Sequence, residues 1–304
     1  MTLNELHLFI VNPGAGKGKE QKILPDRIRA AADSLGVSAE IFIPTAPGAA
    51  AAHVRKRAKE TDFLRVYACG GDGTVNEAAN ALWDLPNAAL GVYPCGSGND
   101  YVKSLPGGPC RDLAALMQGE TAMVDLVDVN GMKCCNMTNI GFDALVAHRM
   151  GLFRRVPFIS GPLAYSLAVA VGLISRMSWQ IRAEFDDNEV VEGAFMLSAI
   201  GVGRVCGGKY KALPTASLTD GLMDVCMLRR VPRWKFPGLI GVYKSGTHLE
   251  DPRVADIVTY RRCKSLRLRF NRPACRSVDG ELEKGCEFTL KVLPEALRLI
   301  LPKA

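Results

Sequence analysis

The chain has 304 residues, of which 48% are hydrophobic and 23% charged, and its formal net charge is +7. These proportions are typical of a folded globular protein and exclude a disordered or low-complexity chain. The length allows one large domain or two medium ones. The positive charge favours an anionic partner such as a nucleotide, an acidic membrane surface or nucleic acid.

The cysteines and the N-terminal residues indicate the compartment. Ten cysteines occur without a C-x-x-C pair, and there are only four histidines, so a zinc site is not expected. The N-terminal stretch lacks the basic and apolar pattern of a signal peptide. We therefore expect a cytoplasmic protein with free thiols.

The first third of the chain alternates between strands and helices. A strand over Leu6 to Val11 ends in the turn Asn12-Pro13-Gly14, and a helix over Lys19 to Leu35 stops at Gly36. A strand over Ala39 to Ile43 and a helix over Pro47 to Glu60 follow. This alternation predicts a three-layer α/β domain with a mainly parallel sheet.

A glycine-rich turn follows the next apolar strand, Phe63 to Cys69. Gly70, Gly71 and Gly73 surround Asp72, and a helix continues to Leu82. Glycines allow close backbone approach, and a helix N-terminus attracts anions. A carboxylate would repel phosphate at such a turn, so Asp72 is best explained by Mg²⁺ bridging it to a nucleotide triphosphate. The spacing matches neither the dinucleotide fingerprint nor the P-loop.

A second turn of the same kind comes one strand later. The strand Ala88 to Tyr93 leads into Pro94-Cys-Gly-Ser-Gly-Asn-Asp100, which again ends in a carboxylate. Turns that follow neighbouring parallel strands meet at one edge of the sheet, so we expect Asp72 and Asp100 to lie close together. A helix near Cys110 to Met117 completes this region.

The pattern changes to hairpins near residue 125. Met123 to Val129, Asn130-Gly131 and Met132 to Thr138 predict one hairpin. Gln180 to Phe185, Asp186-Asp-Asn188 and Val190 to Ile200 predict another, with further strands at Met223 to Leu228, Leu266 to Phe270 and Phe288 to Val292. The predicted architecture is an α/β nucleotide domain over 1–127, completed by 293–304, and a β-rich antiparallel sandwich-like domain over 128–292, with a cleft between them.

An uncharged stretch from Val156 to Ser175 is long enough to span a bilayer. Pro157, Pro162 and its serines and glycines favour a shorter packed helix from Leu163 to Met177 instead. Contact with a membrane surface and a true span stay open as alternatives.

Four sequence blocks carry a family resemblance. They are Asn12-Pro13-x-Ala15-Gly16-x-Gly18, Gly70-Gly-Asp-Gly-Thr-x-Asn-Glu77, Pro94-x-Gly-Ser-Gly-Asn-Asp100 and Asp279-Gly-Glu281. In this order they resemble the diacylglycerol kinase catalytic-domain family, in its short bacterial lipid-kinase branch. The departures are small: Gly14-Ala15 stands where the family often has Ser or Thr beside Gly, and Ser97 stands where it usually has Thr.

The resemblance implies an ATP- and Mg²⁺-dependent lipid kinase and assigns most of its site. The expected nucleotide contacts are Asn12, Pro13, Gly14, Ala15, Gly16, Thr45, Gly70, Gly71, Asp72, Gly73, Thr74, Asn76, Glu77, Gly96, Ser97, Gly98 and Asn99. Asp72, Asp100 and Asp125 would organise Mg²⁺ and phosphate. Ser217, Asp220 and Leu222 resemble a second, structural Mg²⁺ loop. Thr74 and Ser97 could also serve as ordinary turn or helix-capping residues.

Asp279-Gly280-Glu281 is by itself an ordinary hairpin-turn sequence. The resemblance implies that one of its acids accepts the proton of the attacking lipid hydroxyl. We expect Asp279 to be that base, with Glu281 as its partner or as the actual acceptor.

The expected partners are a lipid substrate and an anionic membrane surface, to which the protein would bind peripherally. Trp234 and Phe236 alternate with Arg233 and Lys235, a pattern suited to an acidic lipid surface. No nucleic-acid partner is expected, and the oligomeric state is open, a homodimer included. Two other functions fit the glycine-rich turn: a soluble NAD kinase, and a non-catalytic regulator that binds nucleotide or nucleic acid.

Overall fold

The computed structural model describes residues 4–142, 144–146, 171, 178–232 and 234–303. The chain divides into two compact units. The first contains Met1–Leu126, Leu218–Gly221 and Leu293–Ala304, and the second contains Val127–Ser217 and Leu222–Val292. The sequence did not predict that 218–221 belong to the first unit.

The first unit is built on parallel strands. In chain order these are β1 (Glu5–Val11), β2 (Ala39–Phe42), β3 (Phe63–Gly70), β4 (Ala88–Pro94) and the C-terminal part of β13 (Glu281–Leu301). Their order in the sheet is β2-β1-β3-β4-β13, and every one of these pairings is parallel. Leu299 of β13 pairs with Leu90 of β4, so the chain's last strand returns to this sheet.

Four helices connect or flank these strands: α1 (Glu20–Leu35), α2 (Ala49–Ala58), α3 (Asp72–Leu82) and α4 (Leu113–Met117). Leu24, Ile28 and Ala32 of α1 are buried at a spacing of four residues, which is the apolar stripe of a surface helix. The helix ends at Gly36, whose φ of 65° is left-handed and favours glycine. The predicted helices are confirmed to within a few residues.

The order of the strands changes direction at β1. The chain passes from β1 to β2 on one side and then to β3 on the other side. In such a sheet the loops that follow the two central strands diverge and leave room for a ligand at their carboxyl ends. The predicted phosphate-binding turns follow β1 and β3, at this point of the sheet.

The second unit is antiparallel. Its strands are β6 (Met132–Cys134), β7 (Met137–Gly141), β8 (Trp179–Phe185), β9 (Glu189–Gly201), β10 (Met223–Arg229), β11 (Val258–Cys263), β12 (Ser265–Val278), the first part of β13 and the end of β5 (Glu120–Val129). Helix α5 (Phe236–Ser245) follows β10. Tyr243 of this helix packs on the same core cluster as Met196 and Cys226.

The local turn signals are confirmed. Asn130 and Gly131 have positive φ angles of 51° and 94°, and β5 pairs with β6 directly across them. Asp186 and Asp187 have φ angles of 48° and 58° in the β8–β9 turn. The prediction of one strand over Met132 to Thr138 is wrong, because the backbone leaves the ladder between β6 and β7.

The stretch from Val156 to Ser175, apart from residue 171, lies outside the described residues, so its predicted helix is not assessed. Among the helices that the structure does describe, none combines the length and apolar character needed to cross a bilayer.

His7 in β1 should make the stability of the protein depend on pH. Burial lowers the pKa of His7 from 6.5 to about 4, and its Nδ1 lies 2.9 Å from the Tyr67 hydroxyl. The folded protein therefore keeps the ring neutral, while the unfolded chain binds a proton below pH ~6.5. The free energy of unfolding should therefore have its full value above pH ~6.5 and should fall as the pH drops toward 4.

Urea unfolding at pH 7 and pH 5 measures this effect. At pH 5, His7 should account for a loss of about 2 kcal/mol in the free energy of unfolding, since each pH unit below ~6.5 costs about 1.4 kcal/mol. A His7→Gln variant should show a correspondingly smaller pH-dependent loss. If the free energy of unfolding falls equally between pH 7 and pH 5 in the native protein and in the variant, His7 is not its cause.

Candidate phosphate-binding turns

The turn between β3 and α3 is tight because its first residue lacks a side chain. Gly71 caps α3, and its carbonyl accepts hydrogen bonds from Thr74 N (3.0 Å) and Val75 N (3.2 Å). A Cβ on Gly70 would lie 2.2 Å from Thr74 Oγ1. Only glycine fits at position 70 with α3 starting this close to the strand.

The second turn lies directly on the first. Cys95 N and Gly96 N both donate to the Gly70 carbonyl, at 3.0 and 3.2 Å. A Cβ on Gly96 would lie 2.3 Å from Gly71 Cα, so the two backbones touch. The expectation that these turns meet at one edge of the sheet is met by these contacts.

Asp72 ties the two turns together through its carboxylate. Its Oδ1 accepts hydrogen bonds from Asp100 N (2.6 Å) and Tyr101 N (3.3 Å). A Cβ on Gly98 would lie 2.6 Å from Asp72 Oδ2. Asp72 thus stands in the first turn of α3 and positions the backbone of the second turn.

The turn after β1 joins the same cluster. Asn12 Nδ2 donates to Thr74 Oγ1 (2.8 Å), and Asn12 Oδ1 accepts from Gly14 N (2.8 Å). Gly16 N donates to the Cys95 carbonyl (3.1 Å). Three segments that are far apart in sequence therefore form one continuous surface around the N-terminus of α3.

Asn99 and Lys103 fix the shape of the second turn. Asn99 adopts a left-handed φ of 50°, and its side chain hydrogen-bonds both the N–H and the carbonyl of Gly96. Lys103 Nζ donates to the Gly98 carbonyl (2.7 Å) and to Asp100 Oδ1 (2.9 Å). Sequence reasoning missed Lys103, although a basic residue three positions after Asp100 is a recognisable ion-pair spacing.

The remaining predicted contacts differ in exposure. Pro13, Gly14, Gly16, Thr45, Gly73 and Ser97 are exposed, and Gly71, Gly98 and Glu77 are half-buried. Thr74 and Asn76 of α3 are buried, as is Ala15 in the turn after β1. A Cβ on Gly73 would meet no atom within 4 Å, so the space over the first turn of α3 is open. This open helix N-terminus is suited to a phosphate group.

Asp125 serves the first unit in a different way. It is 1% exposed, and its two oxygens accept from Gly221 N (2.7 Å) and Glu295 N (2.9 Å). These bonds fasten the segment 218–221 and the returning end of β13 to the end of β5. They explain why both segments belong to the first unit.

Hard oxygen donors for a metal ion are present, but they do not form a preassembled cage. Over the described ranges, no group of three or more His, Cys, Asp or Glu side chains is placed to hold a metal ion. Mg²⁺ bound to nucleotide needs only one or two carboxylates, since phosphates and water complete its shell. The residues around Asp72 therefore fit a metal that arrives with its nucleotide.

In the second unit, Asp279 occupies a two-residue hairpin turn and is itself buried. Asp279 and Gly280 have φ angles of 45° and 103°. The Asp279 carboxylate accepts from the backbone N–H groups of Cys135 (2.7 Å) and Met137 (2.9 Å), and from that of Asn136. These three N–H groups turn away from the ladder, which is the reason that β6 and β7 are separate strands.

Two thiols also face this carboxylate. Cys134 Sγ and Cys135 Sγ each lie 3.3 Å from an Asp279 oxygen. Burial, and next the charge of Asp279, raise the pKa of the Cys134 thiol well above its ordinary value. The thiol is therefore protonated and acts as a donor. Glu281, by contrast, is exposed at the start of β13.

Comparison with protein families gives two consecutive matches. Residues 7–129 match the diacylglycerol kinase catalytic domain. Residues 136–301 match the YegS C-terminal NAD kinase beta sandwich-like domain. The two matches together cover nearly the whole chain.

Curated relatives and solved structures agree with these matches. The chain is 26% identical over 298 residues to a diacylglycerol kinase of Staphylococcus epidermidis, covering 97% of this chain and 92% of the relative. It is 27% identical over 300 residues to a diacylglycerol kinase of Bacillus subtilis, covering 97% and 96%. The crystal structure of a diacylglycerol kinase from Bacillus anthracis superposes with a TM-score of 0.71 at 20% identity, covering 99% of this chain and 97% of that one. This last likeness shows a shared fold.

Two glycine substitutions test the contact between the turns. Gly96→Ala should destabilise the protein by about 1–3 kcal/mol, because its Cβ has to push the Gly71 backbone away. Gly73→Ala is the matched control in the same cluster. It meets no neighbouring atom and should be neutral or stabilising by up to about 1 kcal/mol. Chemical denaturation measures both, and equal effects would refute the described packing.

Proposed function

This chain belongs to the diacylglycerol kinase catalytic-domain family, and we propose that it is a lipid kinase that transfers the γ-phosphate of ATP to a hydroxyl of diacylglycerol or a related lipid. The observation that carries the proposal is the pair of glycine-rich turns joined through Asp72 at the carboxyl edge of the parallel sheet. The turns leave an open helix N-terminus, which supplies backbone donors for phosphate without any side chain in the way.

We propose that the triphosphate lies against the N-terminus of α3. Gly71, Gly73 and Gly96 allow close approach of the backbone, and Asn12 holds Thr74 in place from the neighbouring loop. Thr45 and Ser97 are exposed at the same end of their strands and would contact the rest of the nucleotide. Phosphoryl transfer needs little covalent help from the protein, so positioning of this kind supplies most of the catalysis.

Asp72 is the carboxylate that we propose as the Mg²⁺ contact, with Asp100 nearby. When bound, Mg²⁺ offsets negative charge on the β- and γ-phosphates. The protein's part is to hold Asp72 at a fixed angle through two backbone N–H donors. Asp125 fastens the 218–221 segment to the end of β5.

The loop from Ser217 to Leu222 is proposed as a second ion site. Asp220 would supply a carboxylate, and Ser217 and Leu222 would supply backbone carbonyls, which are the hard donors that Mg²⁺ prefers. Gly221 has a left-handed φ of 70° and donates to Asp125, so the loop is tightly turned and anchored. This site would be structural.

For the acid that accepts the hydroxyl proton, the hydrogen bonding favours Glu281. The oxygens of Asp279 already accept from three backbone N–H groups. This bonding is typical of a residue that holds a turn in place. Glu281 follows two residues later and is exposed. Our assignment is therefore that Asp279 positions the turn and Glu281 takes the proton, a step worth about 10²–10⁴-fold.

We further propose peripheral attachment to an anionic membrane surface, which a lipid kinase needs in order to reach its substrate. Trp234 is 77% exposed, and Lys235 Nζ lies 5.2 Å from the centre of its ring. An aromatic ring beside a basic residue is suited to the interface of an acidic bilayer. Arg233 lies outside the described residues.

Radiolabelled ATP and Mg²⁺ with a panel of lipids in mixed micelles tests the activity. The native protein should label diacylglycerol or a related lipid alcohol and should leave NAD unlabelled. Asp72→Asn should abolish labelling. A native protein that labels no lipid, or one that labels NAD instead, would overturn the proposal.

The two acids are separated by the effects of their substitutions on kcat and on stability. Glu281→Gln should lower kcat by about 10²-fold or more, because the proton acceptor is gone, and should leave the free energy of unfolding unchanged, because Glu281 is exposed. Asp279→Asn should lower the free energy of unfolding, because the buried carboxylate accepts from three backbone N–H groups. An unchanged kcat in Glu281→Gln, together with a loss of about 10²-fold in a folded Asp279→Asn, would assign the proton to Asp279.

A further inference from the structure

A second set of groups that can bind an anion lies in the first unit, around the Tyr93 hydroxyl near the end of β4. Arg27 of α1 donates to this hydroxyl from its Nη1 at 3.0 Å. Arg111, which precedes α4, donates from its Nε to the Pro94 carbonyl at 2.8 Å. Two guanidinium groups from different segments of the chain therefore meet at adjacent residues of one strand.

These two arginines differ from the other arginines within residues 4–126. The others all form ion pairs with carboxylates: Arg29, Arg55, Arg57 and Arg65. Arg27 and Arg111 form no ion pair with any residue that the structure describes, and both are exposed. Apart from the bond to Tyr93, their Nη groups are therefore available to a ligand.

The Tyr93 hydroxyl is the buried member of this set. Tyr93 is 1% exposed, and its oxygen accepts the hydrogen bond from Arg27. A phenolic hydroxyl can also donate, but in the described part of the chain no group accepts its proton. Because a buried donor without a partner is unfavourable, this hydroxyl is suited to a ligand oxygen.

The charges around the hydroxyl favour an anion. Burial raises the pKa of Tyr93, and the charges of Arg27 and Arg111 act against that rise. The carboxylate of Glu20, the first residue of α1, acts in the same direction as burial. The Asp112 carboxylate caps α4 by accepting from a backbone N–H of that helix at 3.0 Å. Of the charged groups that act on the hydroxyl, two are thus positive and one is negative.

This set is separate from the phosphate-binding turns. Tyr93 belongs to a core cluster with Leu24 and Ile28 of α1 and Leu116 of α4. Of the described residues in that cluster, none belongs to α3, which packs against α2. The set therefore lies beside α1 and α4 and not at the open N-terminus of α3.

We propose that Arg27, Tyr93 and Arg111 form a second anion site, which binds the terminal phosphate group of a soluble ester or of a lipid head. The oxygens of a tetrahedral phosphate can accept from three converging donors, and guanidinium groups bind them through charge-assisted bonds. Arg111 can keep its Nε on Pro94 while its Nη groups bind the anion. Since Pro94 leads directly into the second turn, a bound phosphate would stabilise that turn. The inference goes beyond the proposed kinase activity and does not depend on it.

Titration of the native protein with inorganic phosphate, followed by NMR, tests the site. The Nε–Hε resonances of Arg27 and Arg111 should shift together with one dissociation constant. Arg27→Gln and Tyr93→Phe should each raise that constant about 10-fold or more, because each removes a donor to a charged oxygen. Tyr93→Phe keeps the aromatic ring in the core, so the variant should fold.

Arg29→Gln is the matched control for Arg27→Gln. It removes the same charge from an exposed position on α1, where Arg29 pairs with Asp26. It should change the dissociation constant of phosphate by about 2-fold or less, since an exposed charge that does not contact the ligand is screened.

Two further probes identify the source of the phosphate group. Glycerol 3-phosphate carries it on a soluble molecule, and dihexanoyl phosphatidic acid carries it on a lipid. Tighter binding of the first assigns the site to a soluble ester, and tighter binding of the second assigns it to a lipid head. Either result supports the site, provided that Arg27→Gln weakens the binding about 10-fold or more.

The other outcomes overturn the proposal. If inorganic phosphate shifts only the amides of Gly71 and Gly73, the ion binds at the turns of the proposed kinase site and the second site is wrong. Equal weakening in Arg27→Gln and Arg29→Gln would indicate general attraction by charge and would also refute it. A protein that binds phosphate at Tyr93 but labels no lipid would keep this site and lose the kinase assignment.

Discussion

The hydrogen bond from Asp100 N to the Asp72 carboxylate is the contact on which the nucleotide-binding half depends. It is short, at 2.6 Å, and charge-assisted, which makes it stronger than a neutral pair. Asp72 belongs to the turn after β3, and Asp100 belongs to the turn after β4. The bond therefore converts two flexible glycine-rich segments into one surface. The glycines allow the two backbones to approach each other, and the carboxylate of Asp72 holds them together.

The same device recurs elsewhere among the described residues. Asp125 accepts from two backbone N–H groups of distant segments, and Asp279 accepts from three consecutive ones. A buried carboxylate is costly unless its oxygens are satisfied, and in each case backbone donors satisfy them. These acids hold loops in place. Glu281, by contrast, is exposed, and our proposal assigns the proton transfer to it.

Features encoded by neighbouring residues could be predicted from the sequence. Asn130-Gly131 and Asp186-Asp187 predict their hairpins because these residues adopt positive φ angles readily. Gly36 predicts the end of α1 for the same reason. The cluster of Asn12, Asp72 and Asp100 followed from strand order and family motifs. The break between β6 and β7 could not be predicted, because its cause, Asp279, lies about 140 residues away in sequence.

The central claim is that the turns joined by Asp72 form a single phosphate-binding surface at the start of α3. Backbone amide chemical shifts of the native protein, recorded during titration with ADP and Mg²⁺, test it most directly. The account predicts that the amides of Gly71, Gly73, Gly96 and Gly98 shift together with one dissociation constant. Shifts confined to one turn, or located away from both, would contradict it.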